Sequence, residues 1–325
     1  MYILKRIGFY LSIFWAAITL NFILPRLMPG NAASAIMARA QGQMNPQALK
    51  ALELAFGVNT SASMWQQYWS YLGNTLTGHF GVSFTYFPEP VTEVIGSTLP
   101  WTLFLIGVAT IVSFVLGTGI GMFAAWRRGT AIADALPVGF TLIASMPYFW
   151  VALALLYVFG FSLGWFPIAH SFNVSQPLGF NFSSLGDIFY YAALPILSIV
   201  VTSIGGWTLG MRNNLVSILS EDYITLAHMK GLPEREVMVN YGARNAMLPQ
   251  ITSFAMSLGF VVGGAILTEI VFSYPGIGYA LYQAVTNSDY PLMQAIFLII
   301  VTAVLLANLL VDILYSRLDP RVTHS

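Results

Sequence analysis

A polar island interrupts the apolar sequence at Asp222-Tyr-Ile-Thr-Leu-Ala-His-Met-Lys-Gly-Leu-Pro-Glu-Arg-Glu-Val237 and extends to Arg244-Asn-Ala-Met-Leu-Pro249. Its pattern of caps and charges predicts two short helices, at about 220–230 and 233–245, instead of an irregular loop. An ordered polar segment between apolar ones indicates a surface that docks another molecule. The competing interpretation is a solvated amphipathic loop that lies on the membrane surface.

The helix boundaries follow from the chemistry of helix ends. Ser220 suits the N-cap, and the two carboxylates that follow it suit the positive end of the helix dipole. Lys230 and Gly231 indicate a C-terminus, because a cation favours the last turn and glycine tolerates a positive φ. Pro233 suits the first position of the second helix, where a backbone N–H has no helical partner.

The composition identifies a membrane protein. Of 325 residues, 57% are hydrophobic and only 8% are charged, whereas about 25% are charged in soluble domains. We therefore predict an all-α polytopic fold whose solvent is lipid. The chain has no cysteine, which excludes disulfides and thiolate metal sites.

About six apolar runs are each close to the ~20 residues that cross a bilayer. Pro147 and Pro195 are predicted to interrupt the third and fourth runs. The runs lie at about 7–28, 99–125, 134–160, 187–210, 249–271 and 291–315.

The basic residues predict the orientation of the chain. Ten of the 13 Lys and Arg lie before the first span, between the second and third, between the fourth and fifth, or in the tail. Because cytoplasmic loops are enriched in Lys and Arg, both termini and the polar island are expected to be cytoplasmic. The first span lacks a cleavage site of small residues and is interpreted as a retained anchor.

These assignments divide the chain into three parts. Residues 1–28 hold the N-terminal tail and the first transmembrane helix, and 29–98 form an extracytoplasmic region. Residues 99–325 form a core of five transmembrane helices, with a loop at about 212–248 that contains the island. Within the outer region, 45–56 is predicted to be a short helix, and the aromatic-rich segment 64–76 suits the membrane interface.

The chain shows no pattern typical of an enzyme. None of its three lysines lies in a phosphate-binding loop, and its four histidines are scattered without metal-ligand spacing. No Ser/His/Asp constellation is indicated, and the mixed charges do not predict nucleic-acid binding. We therefore expect no cofactor, metal or catalytic residue in this chain.

A few polar residues and glycines within the spans allow two interpretations each. Glu269 is either a structural carboxylate that bonds the amides of the following turn or an outer gate that contacts cargo. Asp312 is expected to pair with Arg317 or with a neighbouring helix. The glycines favour close helix packing over a hinge; they are Gly117, Gly119, Gly121, Gly205, Gly206, Gly263 and Gly264.

A series of short motifs runs in order along nearly the whole chain. On these motifs and the span pattern, the chain resembles the permease subunit of binding-protein-dependent ABC importers, in the dipeptide, oligopeptide and nickel branch. The motifs are Arg26-Leu-Met-Pro29-Gly30, Gly78-His-Phe-Gly81-Val-Ser83, Pro90-Val91, Pro100-Trp-Thr102-Leu103, Ser145-Met-Pro147-Tyr-Phe149-Trp150, Gly164-Trp-Phe-Pro167, Ala227-His-Met-Lys230-Gly231-Leu232, Arg244-Asn245-Ala246 with Pro249, Val262-Gly-Gly-Ala265 through Glu269, Phe272, Pro275-Gly276, Asp289-Tyr290-Pro291 and Leu318-Asp319-Pro320-Arg321.

The resemblance implies a type I-like importer permease of the bacterial or archaeal inner membrane. It implies as partners a homologous second permease, one or two ABC ATPases that bind ATP and Mg²⁺, and an extracytoplasmic binding protein. The island would dock on an ATPase and transmit its closure to the spans as a rigid lever. The coupling residues implied are Tyr223, Ala227, Lys230, Gly231, Leu232, Arg235, Glu236 and Arg244.

The cargo and the class of transporter remain open at this point. Where the general importer signature begins Glu-Ala-Ala, this chain has Thr225-Leu226-Ala227, as in the peptide branch. Gly30-Asn31-Ala32 and Gly78-His79-Phe80-Gly81 depart from the usual pattern in the outer region, which leaves the substrate unassigned. Peptide is the leading cargo, with oligosaccharide and nickel as alternatives. A stand-alone channel or secondary carrier would require inverted repeats or midplane ionisable residues, and neither is found.

Overall fold

The computed structural model describes residues 2–27, 62–172, 182–259, 261–263 and 266–318. Within these ranges the protein is helical, and an isolated bridge between Val82 and Pro90 is the sole strand-like pairing. The helix predicted at 45–56 and the C-terminal motif at 319–321 lie outside the described residues. The all-α prediction is confirmed.

Twelve α-helices are described, joined in places by π- and 3₁₀-helical turns. They are α1 Tyr2–Leu27, α2 Met64–Leu76, α3 Val91–Trp126, α4 Ala131–Ala144, α5 Tyr148–Leu155, α6 Phe182–Ile218, α7 Asp222–Met229, α8 Glu234–Glu236, α9 Arg244–Gly259, α10 Ile266–Val271, α11 Ile277–Thr286 and α12 Tyr290–Leu318. The π turns are Leu156–Ser162 and Val237–Ala243, and the 3₁₀ turn is Val261–Gly263.

Four described helices are long and apolar enough to cross a membrane: α1, α3, α6 and α12. The pair Ala131–Ala144 and Tyr148–Ser162 counts as a fifth span if it is one broken span, since its two parts meet at 92°. Pro147 lies at that bend, as predicted. The predicted run at 249–271 is divided among α9, the 3₁₀ turn and α10 in the described residues.

Pro195 does not interrupt its helix, so that prediction is wrong. The proline lies inside the continuous helix Phe182–Ile218, and Ser198 donates a hydrogen bond to the Pro195 carbonyl over 2.7 Å. A proline inside a helix removes one backbone hydrogen bond. Here the helix packs against α4, α5 and α9, and this packing holds its backbone in place.

The chain divides into two compact units. One consists of Met1–Leu103, Val262–Ile266 and Pro275–Ser325, and the other of Phe104–Val261 and Leu267–Tyr274. The predicted boundaries at 28 and 98 are not decided by this division and stay a prediction.

In the first unit, α1 packs along α12. Arg6 and Asp312 form an ion pair at 2.5 Å, and Tyr10 donates a hydrogen bond to the same carboxylate over 2.6 Å. The prediction that Asp312 pairs with a neighbouring helix is confirmed. An apolar cluster joins the start of α3 to α11 and α12, and its buried residues include Val91, Ile277 and Ile296.

A buried carboxylate ties the loop between α2 and α3 to the start of α12 in the same unit. Asp289 is fully buried and accepts hydrogen bonds from Ser83 Oγ at 2.5 Å and from the Thr85 backbone N–H at 2.9 Å. Its second oxygen accepts from the Leu292 N–H over 3.2 Å, which caps α12. Because a buried carboxylate without partners is costly, this set of bonds fixes the loop to the helix.

In the second unit, α6 packs closely against α3 because glycines remove the side chains between them. A Cβ on Gly117 would lie 2.5 Å from Trp207 Cβ, and a Cβ on Gly121 would lie 2.8 Å from Met211 Cβ. Gly205 approaches Phe140 in the same manner. The packing interpretation is confirmed at these three glycines, whereas a Cβ on Gly119 or Gly206 would meet nothing within 4 Å.

Candidate functional site

The polar island folds into α7, which begins and ends as helix-terminal chemistry requires. Glu221 occupies the N-cap without a side-chain bond, and Ser220, the predicted cap, instead donates to the Ser217 carbonyl over 2.6 Å. The predicted cap is therefore wrong by one residue. The C-terminus closes at Gly231, whose φ is +75°.

The turn after α7 is a Schellman motif. The Leu232 N–H donates to the Ala227 carbonyl over 3.4 Å, and the Gly231 N–H donates to the His228 carbonyl over 2.9 Å. This pair of bonds satisfies carbonyls that the helix end leaves open. Leu232, the residue after the glycine, packs on the apolar cluster that contains Ala227 of the last helical turn. Such a hydrophobic contact is typical of the Schellman motif.

One face of α7 is buried against the rest of the unit. Ile224, Ala227 and Val237 form a buried cluster, against which Ile218 and Leu219 also pack. Ala227 is only 3% exposed, so its predicted direct contact with a partner does not fit this structure. Its small side chain instead lets α7 lie close to its own unit.

The other face of α7 exposes three apolar side chains. Tyr223, Leu226 and Met229 are 38%, 55% and 79% exposed. Their spacing of three residues places them on one side of the helix. An exposed apolar arc on an ordered polar segment is typical of a protein-binding surface. Leu226 and Met229 were not among the predicted coupling residues, although the i, i+3 spacing with Tyr223 was a signal for them.

Two side-chain hydrogen bonds hold this region in place. Asn245 donates to the Tyr223 hydroxyl over 3.1 Å and also to the Tyr241 carbonyl over 2.9 Å. Trp126, at the end of α3, donates its indole N–H to Glu234 over 3.2 Å. The island is thus tied to α3 and α9 within its own unit.

The second predicted helix does not end at 245. Residues 234–259 are continuously helical, running from α8 through the π turn Val237–Ala243 into α9. Gly242 lies in this π turn and packs closely against Leu215. A Cβ at position 242 would lie only 3.0 Å from Leu215 Cδ1. Single π turns are frequent at functional sites. The structure thus keeps the two predicted helices separate at Gly231, and the second one extends beyond its predicted end into the apolar part of the unit.

The remaining predicted coupling residues are at the surface around the arc. Lys230, Arg235 and Arg244 are exposed, whereas Leu232 and Glu236 are partly buried. Three charged side chains of the predicted set are therefore available at the surface of the same unit. Whether they contact a partner stays a prediction.

Glu269 lies in α10 and is fully buried. Its backbone carbonyl accepts a hydrogen bond from the Tyr274 N–H over 2.8 Å, which closes the turn after α10. Burial, with a smaller contribution from Glu269, raises the pKa of Tyr274 above its ordinary value, so this phenol stays neutral. The side chain is fully buried in this conformation, and the choice between a structural carboxylate and an outer gate stays a prediction.

Comparison with known proteins places the chain in a family. Residues 117–324 match the family described as binding-protein-dependent transport system inner membrane component. The chain belongs to this family. The match includes α7, its Schellman turn and the continuous helix that follows, so the candidate site is part of the shared permease region. The chain is therefore a transport permease of a membrane.

Three relatives align over nearly their whole length. The Di/tripeptide transport system permease protein DppB of Pseudomonas aeruginosa is 32% identical over 99% of this chain and 98% of its own. The Oligopeptide transport system permease protein AppB of Bacillus subtilis is 30% identical over 99% of both chains. The Dipeptide transport system permease protein DppB of Escherichia coli is 32% identical over 99% of this chain and 98% of its own.

Proposed function

We propose that this permease is the membrane subunit of an ATP-driven importer of di- or oligopeptides in a bacterial inner membrane. Its partners are a second permease, one or two ATPases that bind ATP and Mg²⁺, and an extracytoplasmic protein that delivers the peptide. The named relatives are peptide permeases, and they lend no support to the oligosaccharide or nickel alternatives.

The observation that carries the proposal is the exposed arc of Tyr223, Leu226 and Met229 on a helix whose opposite face is buried. Such an arc fits an apolar cleft on an ATPase, in the way that amphipathic helices lie in grooves. Lys230, Arg235 and Arg244 are exposed in the same segment, and their charges suit the polar rim of an interface.

The path from this arc into the membrane is continuous. A displacement of α7 is passed through the closed turn at Gly231 to residues 234–259, which form one helix. That helix packs on α6, a span of the same unit. Because packed helices have discrete arrangements and do not deform smoothly, a movement of the arc switches the span between conformations. Two such states would open the pathway to the inside and to the outside.

Site-specific crosslinking tests the docking surface. The chain has no native cysteine, so Met229→Cys and Leu226→Cys each provide a unique thiol for a benzophenone maleimide. In the assembled complex we expect photocrosslinks from both positions to the ATPase. Ile168→Cys is the control, since Ile168 is similarly exposed at 54% but lies in the turn after the second half of the broken span. Crosslinking from Ile168 and none from α7 would refute the assignment.

Reconstitution tests the transport function. We reconstitute the purified complex in proteoliposomes and supply ATP on the side of the membrane where the ATPase is bound. Under these conditions we expect labelled di- or tripeptides to accumulate on that side. A labelled trisaccharide should not be taken up. Uptake by this chain alone, driven by an ion gradient, would establish a secondary carrier and overturn the proposal.

A further inference from the structure

A cavity of about 790 Å³ lies in the first unit, between α1, α2, the outer loop that follows α2 and the start of α12. This volume is within the range of small-molecule sites. Its lining is mixed and includes the polar side chains of Arg26, Gln66, Asn74, His79 and Gln294. None of the described lining residues is Asp or Glu. Among the described residues of its walls, the cavity therefore has a positive charge without an acidic counterpart.

Arg26 is fixed in orientation. Its guanidinium lies 3.5 Å from the centroid of the Phe22 ring, donates to the Phe22 carbonyl over 2.7 Å and donates to Gln67 Oε1 over 3.1 Å. A guanidinium has five N–H donors, so these two bonds leave donors for a ligand. Among the described residues, no carboxylate pairs with Arg26. An oxyanion is the natural ligand for such a group, and phosphate fits its forked geometry.

Helix α2 shows which surface the cavity faces, because it presents three distinct sides. Tyr68 is buried against α1, where its hydroxyl lies 2.9 Å from Thr19 Oγ1. A second side carries an apolar stripe at helical spacing, in which Trp65, Trp69 and Leu76 are exposed and Leu72 is half-buried. The third side is polar and lines the cavity; it consists of Gln66, Ser70 and Asn74.

An amphipathic helix of this kind lies in the membrane interface, with its apolar stripe at the boundary between headgroups and acyl chains. Trp65 and Trp69 are 66% and 54% exposed, and tryptophan is enriched at that depth. Arg26 lies in the last turn of the apolar helix α1 and reaches α2 through its hydrogen bond to Gln67. The polar side of α2, and the cavity it lines, are then at the depth of lipid headgroups.

We propose that this cavity binds the phosphate of a phospholipid headgroup, with Arg26 as the charged ligand and the amides of Gln66 and Asn74 as further donors. The lipid's acyl chains would continue along the apolar stripe of α2. The bound lipid would hold α2 against α1 at the outer surface. This proposal does not depend on the cargo or on the ATPase, and its measurement is independent of uptake.

The test is lipid retention by the purified complex. Wild type, Arg26→Gln and Arg128→Gln are purified in a mild detergent from the same cells, and bound phospholipid is counted per complex by native mass spectrometry. Arg128 is an exposed arginine away from the cavity and serves as the matched control. We expect wild type and Arg128→Gln to keep a phosphate-bearing lipid that Arg26→Gln loses about tenfold or more, as for a charge-assisted bond.

A second variant separates binding from folding. Ser70→Trp fills the cavity from the polar side of α2 and leaves the guanidinium in place. It should also lose the lipid while the complex stays assembled. Added phosphatidylglycerol should rebind to delipidated wild type, whereas a glycolipid with the same acyl chains and no phosphate should not.

Several results would overturn the proposal. One is a wild-type complex without retained lipid, which would indicate another occupant, such as an acidic segment of the binding protein. Another is equal retention in wild type, Arg26→Gln and Ser70→Trp. Equal rebinding of the phosphate-free glycolipid would show that acyl contacts alone hold the lipid, and the phosphate site would be wrong.

Discussion

A substitution at Gly231 tests the role of one backbone angle in coupling without disturbing any side-chain packing. Its φ of +75° lies in the left-handed region, and a Cβ at this position would meet nothing within 4 Å. Gly231→Val therefore introduces no clash, and its cost is the conformational penalty alone. That penalty is about 1–2 kcal/mol, and more for a β-branched residue.

The consequence falls on α7. The helix has 8 residues, fewer than the ~12–15 that an isolated helix needs to form in water. It depends on its buried face and on the Schellman bonds from Gly231 and Leu232. An energy difference of about 1.4 kcal/mol changes an equilibrium constant about tenfold. We therefore expect the closed turn to be at least about tenfold less populated in Gly231→Val than in wild type. Arg235 and the helix that follows would then no longer be held in register with the exposed arc.

The assay compares three quantities in proteoliposomes: ATP-driven peptide uptake, ATP hydrolysis and the amount of chain in the membrane. Gly231→Val should lose most of its uptake, with hydrolysis uncoupled or lost, while its membrane level stays normal. Gly231→Asn is the matched control, because asparagine adopts the left-handed region far more readily than other non-glycine residues. Its uptake should stay near that of wild type. Normal coupled uptake in Gly231→Val would refute the role of a rigid turn in coupling.

Three further predictions concern stability and packing, each measured by thermal unfolding of the purified protein. Asp289→Asn should lower the melting temperature by the equivalent of about 1–3 kcal/mol. The carboxylate now accepts hydrogen bonds from a hydroxyl and a backbone N–H, and an amide NH₂ in its place cannot accept them. An unchanged melting temperature would contradict this. Gly121→Leu should prevent stable folding, since Cβ alone would already overlap α6, whereas Gly119→Leu, with nothing within 4 Å, should be tolerated. Asp312→Asn should destabilise the protein more than Arg6→Gln. The partly exposed ion pair contributes only about 0–1 kcal/mol, whereas the aspartate also accepts a hydrogen bond from Tyr10. The reverse order would show that the ion pair dominates.

Much of the fold was predictable because its causes are local. Apolar length identified the long helices, and Pro147 marked the sharp bend because proline cannot continue a hydrogen-bonded helix. Lys230 and Gly231 marked the end of α7 because a left-handed residue there closes the last turn. The break at Pro195 was wrong, since the helix is held by neighbours that no local pattern identifies.

The candidate site shows the same division. The sequence by itself determined that a polar, capped, helical segment lies between apolar helices, and it placed Tyr223 and Gly231 within it. Only the tertiary structure decided that Ala227 is buried and that Leu226 and Met229 are exposed. Helical spacing shows which residues share a side, but which side is covered depends on packing against other elements, here Ile218, Leu219 and Val237. For the same reason, only the fold could bring Arg26, α2 and α12 around one cavity.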